Sequence, residues 1–137
     1  MATERPGVAG QGWVSSGAGK APRWSHRRHL DMTHHTESVT IDRKTSGSLH
    51  TNLGATGAVT LTLPQDALAG DHFEFVVMAA QQLRVDPGAA GALYIGAAKQ
   101  ADDAYAWADA INESLKMVCD GNNDWVAMYL TGTWTVV

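Results

Sequence analysis

The feature that most constrains this chain is a period-two alternation of apolar and polar residues that recurs from residue 46 to the C-terminus. In AVTLTLP, Val59, Leu61 and Leu63 point one way while Thr60 and Thr62 point the other, and Pro64 ends the run because it has no N–H for a ladder. HFEFVVMAA sets Phe73, Phe75 and Val77 on one face and Glu74, Val76 and Met78 on the other. QQLRVDPG places Leu83 and Val85 inward and closes on the turn signal Asp86-Pro87-Gly88; ALYIG reads as a further strand. The clearest hairpin is SLKMVCDGNNDWVAMYL: Leu115, Met117 and Cys119 alternate up to the turn Asp120–Asp124, and the chain returns through Trp125, Ala127 and Tyr129. TGTWTVV supplies a last short strand.

One segment resists the pattern. Residues 99–114 are alanine-rich, and Trp107 and Ile111 have helical spacing. Tyr105 and Trp107, however, lie two apart, and extended chain is the reading adopted here. Several strands are apolar on both faces. Val76 and Met78 lie opposite Phe73 and Phe75, and Val126, Met128 and Leu130 lie opposite Trp125 and Tyr129. A sheet with one solvated face does not need this. The expected fold is therefore an all-β, compact antiparallel sandwich or barrel-like body. Val76, Met78, Val126, Met128 and Leu130 are its candidate subunit contacts.

Charge divides the chain. Residues 1–45 carry seven basic and four acidic groups, a net of +3; residues 46–137 carry three basic and ten acidic groups, a net of −7; the sum is the −4 of the whole chain. A basic segment on an acidic body predicts an extended N-terminal docking arm (1–45) and a separate body (46–137), the arm reaching for a negatively charged partner. With 137 residues, 45% of them hydrophobic, one core is the natural expectation. No stretch approaches the ~20 apolar residues of a membrane helix, and residues 1–25 hold no apolar signal-peptide core. The single cysteine, Cys119, permits no internal disulfide and reads as a small buried hydrophobe.

Chemical motifs fail on inspection. GAGK (Gly17–Lys20) has Val14 where a phosphate loop needs glycine, and Ala21 where it needs Ser or Thr. His26, His29, His34 and His35 cluster within WSHRRHLDMTHHTE at no recognised zinc spacing, and read as a polar, partly basic contact surface. DGNND alternates Asp120, Asn122 and Asp124 as calcium loops do, but Trp125 stands at the obligatory glycine position. Asp102 and Asp103 are neighbours in a solvated loop, and no nucleophile elbow occurs. No catalytic residue, metal ligand or cofactor is therefore expected, nor is nucleic acid the expected partner.

Three stretches carry a resemblance. SGSLHTNLGATGAVTLTLP (Ser46–Pro64), FEFVVMAAQQLRVDPG (Phe73–Gly88) and LKMVCDGNNDWVAMYLTGTW (Leu115–Trp134) follow one another as in small structural proteins of tailed bacteriophages, which the body resembles. The resemblance implies a non-enzymatic virion component with a β-rich body, often trimeric. Residues 1–45 match no family pattern. The shortness of the chain suits a capsid decoration (cement) protein or small head fibre on the major capsid protein. On that reading Trp13 and Trp24 anchor the arm in apolar pockets, and Arg23, Arg27 and Arg28 pair with carboxylates. Two alternatives use the same residues differently: a tail fibre or adaptor, and a host-glycan-binding module presenting Tyr94, Tyr105 or Trp107.

Overall fold

The computed structural model describes residues 30–137 and, ahead of them, two short strands. Those two, β1 (Trp13–Val14) and β2 (Arg23–Trp24), form an antiparallel ribbon in which Trp13 opposes Trp24 and Val14 opposes Arg23. The ribbon belongs to a unit ending at Leu30; the body, Asp31–Val137, is a second unit.

The body contains twelve strands: β3 (Met32–His34), β4 (Val39–Thr40), β5 (Leu49–Thr51), β6 (Val59–Thr62), β7 (His72–Val76), β8 (Leu83–Asp86), β9 (Leu93–Ile95), β10 (Ala98–Lys99), β11 (Ala106–Ala108), β12 (Ser114–Cys119), β13 (Trp125–Thr131) and β14 (Thr135–Val136). Among the described residues there is no α-helix, only one 3-10 turn at Arg43–Thr45. Asp42 caps that turn by accepting from the Lys44 amide at 2.9 Å. No helix among these residues is long and apolar enough to cross a membrane.

Two sheets share the strands. One runs β10-β9-β13-β12-β7-β5-β3, the other β14-β11-β8-β6-β4. Up to β8 the chain changes sheet at every step. Consecutive strands therefore face each other across the core, and hydrogen-bonded neighbours are two apart in sequence. β3, β5 and β7 are parallel neighbours in the larger sheet, and β4, β6 and β8 are parallel neighbours in the smaller. Residues 31–86 thus wind through three stacked coils, each made of one strand from each sheet. β12 then pairs antiparallel with β7, and β11 with β8, ending the coiling. The expectation of an antiparallel body is corrected to two mixed sheets, with β9 and β13 also parallel. Parallel neighbours need a long crossover, and here the opposite sheet's strand provides it.

Alternation placed the core well. Val59, Leu61, Leu63, Phe73, Phe75, Val77, Leu83, Val85, Leu115, Met117 and Trp125 are wholly buried between the sheets. Residues 99–114 are extended: Ala106 and Ala108 are buried while Trp107 between them turns outward. Asp103 (φ 66°) and Asn112 (φ 77°) adopt left-handed backbone that a helix cannot include. Two further points differ from expectation. Residues 32–34 and 39–40, assigned to the arm by charge, are the outermost strands of the two sheets. In the hairpin, the register runs Cys119–Trp125, Val118–Val126 and Met117–Ala127, then jumps to Lys116–Tyr129 and Leu115–Leu130. Met128 is the extra residue of a bulge. Beyond it Tyr129 shares a face with Lys116, and Leu130 shares one with Leu115, the reverse of the sequence expectation.

Gly91 holds a close approach between two loops. A β-carbon there would lie 2.5 Å from the Asn123 carbonyl oxygen and 2.6 Å from that of Pro87, whereas one at Gly57 meets nothing within 4 Å. Gly91→Ala should cost about 1–3 kcal/mol, read as a lowered urea midpoint, and Gly57→Ala should leave that midpoint nearly unchanged. Equal midpoints for the two variants would contradict this packing.

Candidate functional surfaces

A buried polar cluster sits on the first two coils of the body. Ser48 and His50, two apart, both turn toward the core and are 4% and 3% exposed. The His50 ring packs against Phe73 (centroids 5.7 Å) and Phe75 (5.9 Å). Its Nε2 lies 2.8 Å from Ser48 Oγ, and its Nδ1 lies 2.8 Å from Nε2 of His35, just past β3. The two imidazole planes differ by only 21° with centroids 5.1 Å apart. That separation is what a head-on 2.8 Å nitrogen–nitrogen line plus two ring radii adds up to. The rings therefore meet edge to edge, one nitrogen donating and the other accepting. His34 turns the other way, its Nδ1 2.6 Å from Thr51 Oγ1.

This geometry holds a proton between the rings and excludes a metal there. Zinc–nitrogen bonds are about 2.0–2.1 Å, so two nitrogens aimed at each other across 2.8 Å leave no room for an ion. Among the described residues no three His, Cys, Asp or Glu side chains are grouped to hold a metal. Ser48, hydrogen-bonded to a histidine, has the outline of a nucleophile, but its hydroxyl is enclosed at the core rim. Of the four clustered histidines, His34 and His35 belong to the body, while His26 and His29 lie outside the described residues. The partner of His35, His50, was missed because it follows by fifteen residues and is brought close only through parallel pairing of β3 with β5.

Burial, and then the neighbouring His35, hold His50 down to about 4. Burial, and then His34, also lower His35. Below an unfolded value near 6.5 the unfolded chain binds protons that the folded chain refuses, so stability is fully present above that pH. It falls as pH drops toward 4, by at most about 1.4 kcal/mol per pH unit for each such group. Urea midpoints at pH 7, 5 and 4 should therefore decline in the wild type and flatten in His50→Gln. Parallel declines in both would remove His50 as the cause.

The five candidate subunit contacts do not form one patch. Val76 and Val126 are half-buried on the outer face of the larger sheet, in different cross-strand rows: Thr51–Val76–Ser114–Thr131 and His72–Val118–Val126–Tyr94. Met78 follows β7, its amide donating to Asn52 at 2.8 Å. Met128 is 62% exposed at the bulge, and Leu130 belongs to the opposite face. Between Val76 and Val126 lies a polar strip, where Tyr129 reaches over Lys116 to donate to Glu74. That bond, the largest influence, raises Tyr129 to about 12.

β9 parts from β13 after Tyr94 and Val126, opening a crevice of about 500 Å³ lined by Tyr94, Ile95, Ala97, Ala98, Ala127 and Leu130. Lys99 stands over the Tyr94 ring and pairs with Asp124 at 2.7 Å. The other Asp124 oxygen accepts from the Ala92 amide at 3.0 Å, and Asp120 caps the Asn122 amide at 2.7 Å. The carboxylates of DGNND thus hold the turn and β9 in place. The remaining aromatic candidates lie on the smaller sheet. Trp107 stands in the outward row Thr60–Arg84–Trp107–Thr135, and the Arg84 guanidinium covers Tyr105 at 5.4 Å. Cys119 is buried, its sulfur accepting from the Gly121 amide.

Of the docking set, Trp13, Trp24 and Arg23 lie in the ribbon, with the tryptophans opposite each other; Arg27, Arg28 and the GAGK sequence lie outside the described residues. Charge follows the division into units. Residues 1–30 hold five basic groups and one acid, +4, and residues 31–137 hold five basic groups and thirteen acids, −8. No protein-family model matches this chain, and no curated protein is similar to it.

Proposed function

We propose that this chain is a non-enzymatic structural protein of a bacteriophage virion, a capsid decoration or small head-fibre protein whose N-terminal segment docks on the major capsid protein. The observation that carries this reading is the coincidence of charge and architecture. A +4 segment of thirty residues precedes a −8 β body, and the two are separate compact units. The segment pairs its two tryptophans across a ribbon, next to Arg23. Paired aromatics with arginine are the composition of interface hot spots. The body contributes apolar groups on one strand, Met128, Tyr129 and Leu130, each at least 40% exposed. They suit self-association, and the resemblance implies a trimer.

Host-glycan binding is a second reading, favoured by one arrangement: Trp107 and Tyr105 lie on the outer face of the smaller sheet beside Arg84, Thr60 and Asp86. Flat aromatic rings among hydrogen-bonding groups suit a sugar.

Co-sedimentation with phage heads separates the two. The full chain should pellet with heads, a chain lacking residues 1–30 should stay in the supernatant, and Trp13→Ala or Trp24→Ala should weaken binding roughly 30-fold. Unchanged pelleting of the truncated chain would overturn the docking role. Loss of polysaccharide binding in Trp107→Ala, with head binding absent throughout, would favour the glycan reading.

A further inference from the structure

β3 is the end strand of the larger sheet, three residues long and exposed throughout. Its flanking backbone bonds to β5 are Leu49 N to Asp31 O and His35 N to Thr51 O, both 2.8 Å. Two side-chain ties supplement them, His34 to Thr51 and His35 to His50. Among the described residues, the contacts of the His35 and His50 rings with each other, Ser48, Phe73 and Phe75 include no carboxylate. Around His50 stand Ser48 and Thr51 on its own strand, Phe73 and Phe75 on β7, and His35. The polar groups of β7 alternate to the other face: Glu74 takes the Tyr129 hydroxyl, and His72 bonds the Gly70 carbonyl. On the β3 side, His34 is the neighbour acting on His35.

We propose that the His35–His50 pair is an acid-released latch that holds β3, and with it the start of the body, against β5. A first proton is accommodated. His35 takes it on Nδ1 and still donates from Nε2 to the bare Nδ1 of His50, or the mirror arrangement forms. A second proton places an N–H on each of the two facing nitrogens, only 2.8 Å apart. The bond cannot then exist, two cations face each other, and His50 must either leave the phenylalanine pocket or lose its partner. β3, being an edge strand, is the cheaper element to release.

Release has a mechanical consequence. The first anchored residue of the body moves from Asp31 to Ser38, whose hydroxyl accepts from the Thr60 amide, while Val39 stays paired with β6. The seven residues 31–37 then span roughly 23 Å if extended. The latch stands on the histidine geometry alone; its effect on docking rests on the function proposed above.

Hydrogen exchange of the full chain, corrected for intrinsic rates and followed by mass spectrometry from pH 7 to pH 3.5, tests the latch. Opening that takes up one extra proton grows about tenfold per pH unit. Peptides covering β3 should lose protection at that rate toward pH 4, while peptides from β7 and β12 keep theirs. His35→Gln, whose amide can donate to neutral His50 or accept from the protonated ring, should flatten the β3 profile. Independently of any variant, imidazole 15N spectra of the wild type should show coupling across the N–H···N bond at pH 7 that disappears as β3 opens. A β3 profile that does not change with pH, the same loss in His35→Gln, or absence of that coupling at pH 7 would overturn the latch. Head binding at pH 7 is measured separately and stands or falls without it.

Discussion

The structure depends on how a chain that changes sheet at every step from β3 to β8 satisfies the backbone of its crossings. Each crossing carries amides and carbonyls out of one ladder before they enter the next. Asn52, wholly buried directly after β5, resolves one such crossing with another. Its Oδ1 accepts from the amides of Met78 and Ala79 at 2.8 and 2.9 Å, and its Nδ2 donates to the carbonyls of Ala79 and Gln81 at 3.1 and 3.0 Å. One amide thus ties the β5–β6 crossing to the β7–β8 crossing and fixes the stacking of two coils. Each buried group left without its partner would cost about 1–3 kcal/mol. The apolar strip of each strand can meet the opposite sheet only once that stacking is set.

How much of this was legible in the sequence depends on what alternation encodes. A period of two states which side chains share a face, and Val59, Leu61, Phe73, Phe75, Leu115 and Met117 are buried as it indicated. It is silent about strand direction and neighbour, because a strand reads the same in a parallel or antiparallel ladder. The coils were therefore mistaken for an antiparallel sandwich. The bulge at Met128 escaped for a related reason. One extra residue reverses every later facing, and nothing in AMYLT marks where it enters. The boundary at residue 45 came from charge and from where the alternation starts, whereas β3 and β4 are held by pairing with β5 and β6.

Functional residues divide along the same line. The five residues named as subunit contacts are scattered between an outer face, a bulge and the opposite face of the larger sheet rather than gathered in one patch, and Tyr94, named for a glycan, lines a crevice. His50 drew no notice in the sequence as a lone histidine between Leu49 and Thr51. Parallel pairing brings it to His35, and burial among phenylalanines makes the pair sensitive to protons. The N-terminal segment and the body carry opposite net charge and are separate units.

The central claim is that this chain is a virion component seated on the head. Gold-labelled antibody against the body, applied to intact phage particles and viewed by electron microscopy, tests it most directly. The account predicts label spread over the head surface. Label confined to the tail, or absent from every particle, would contradict it.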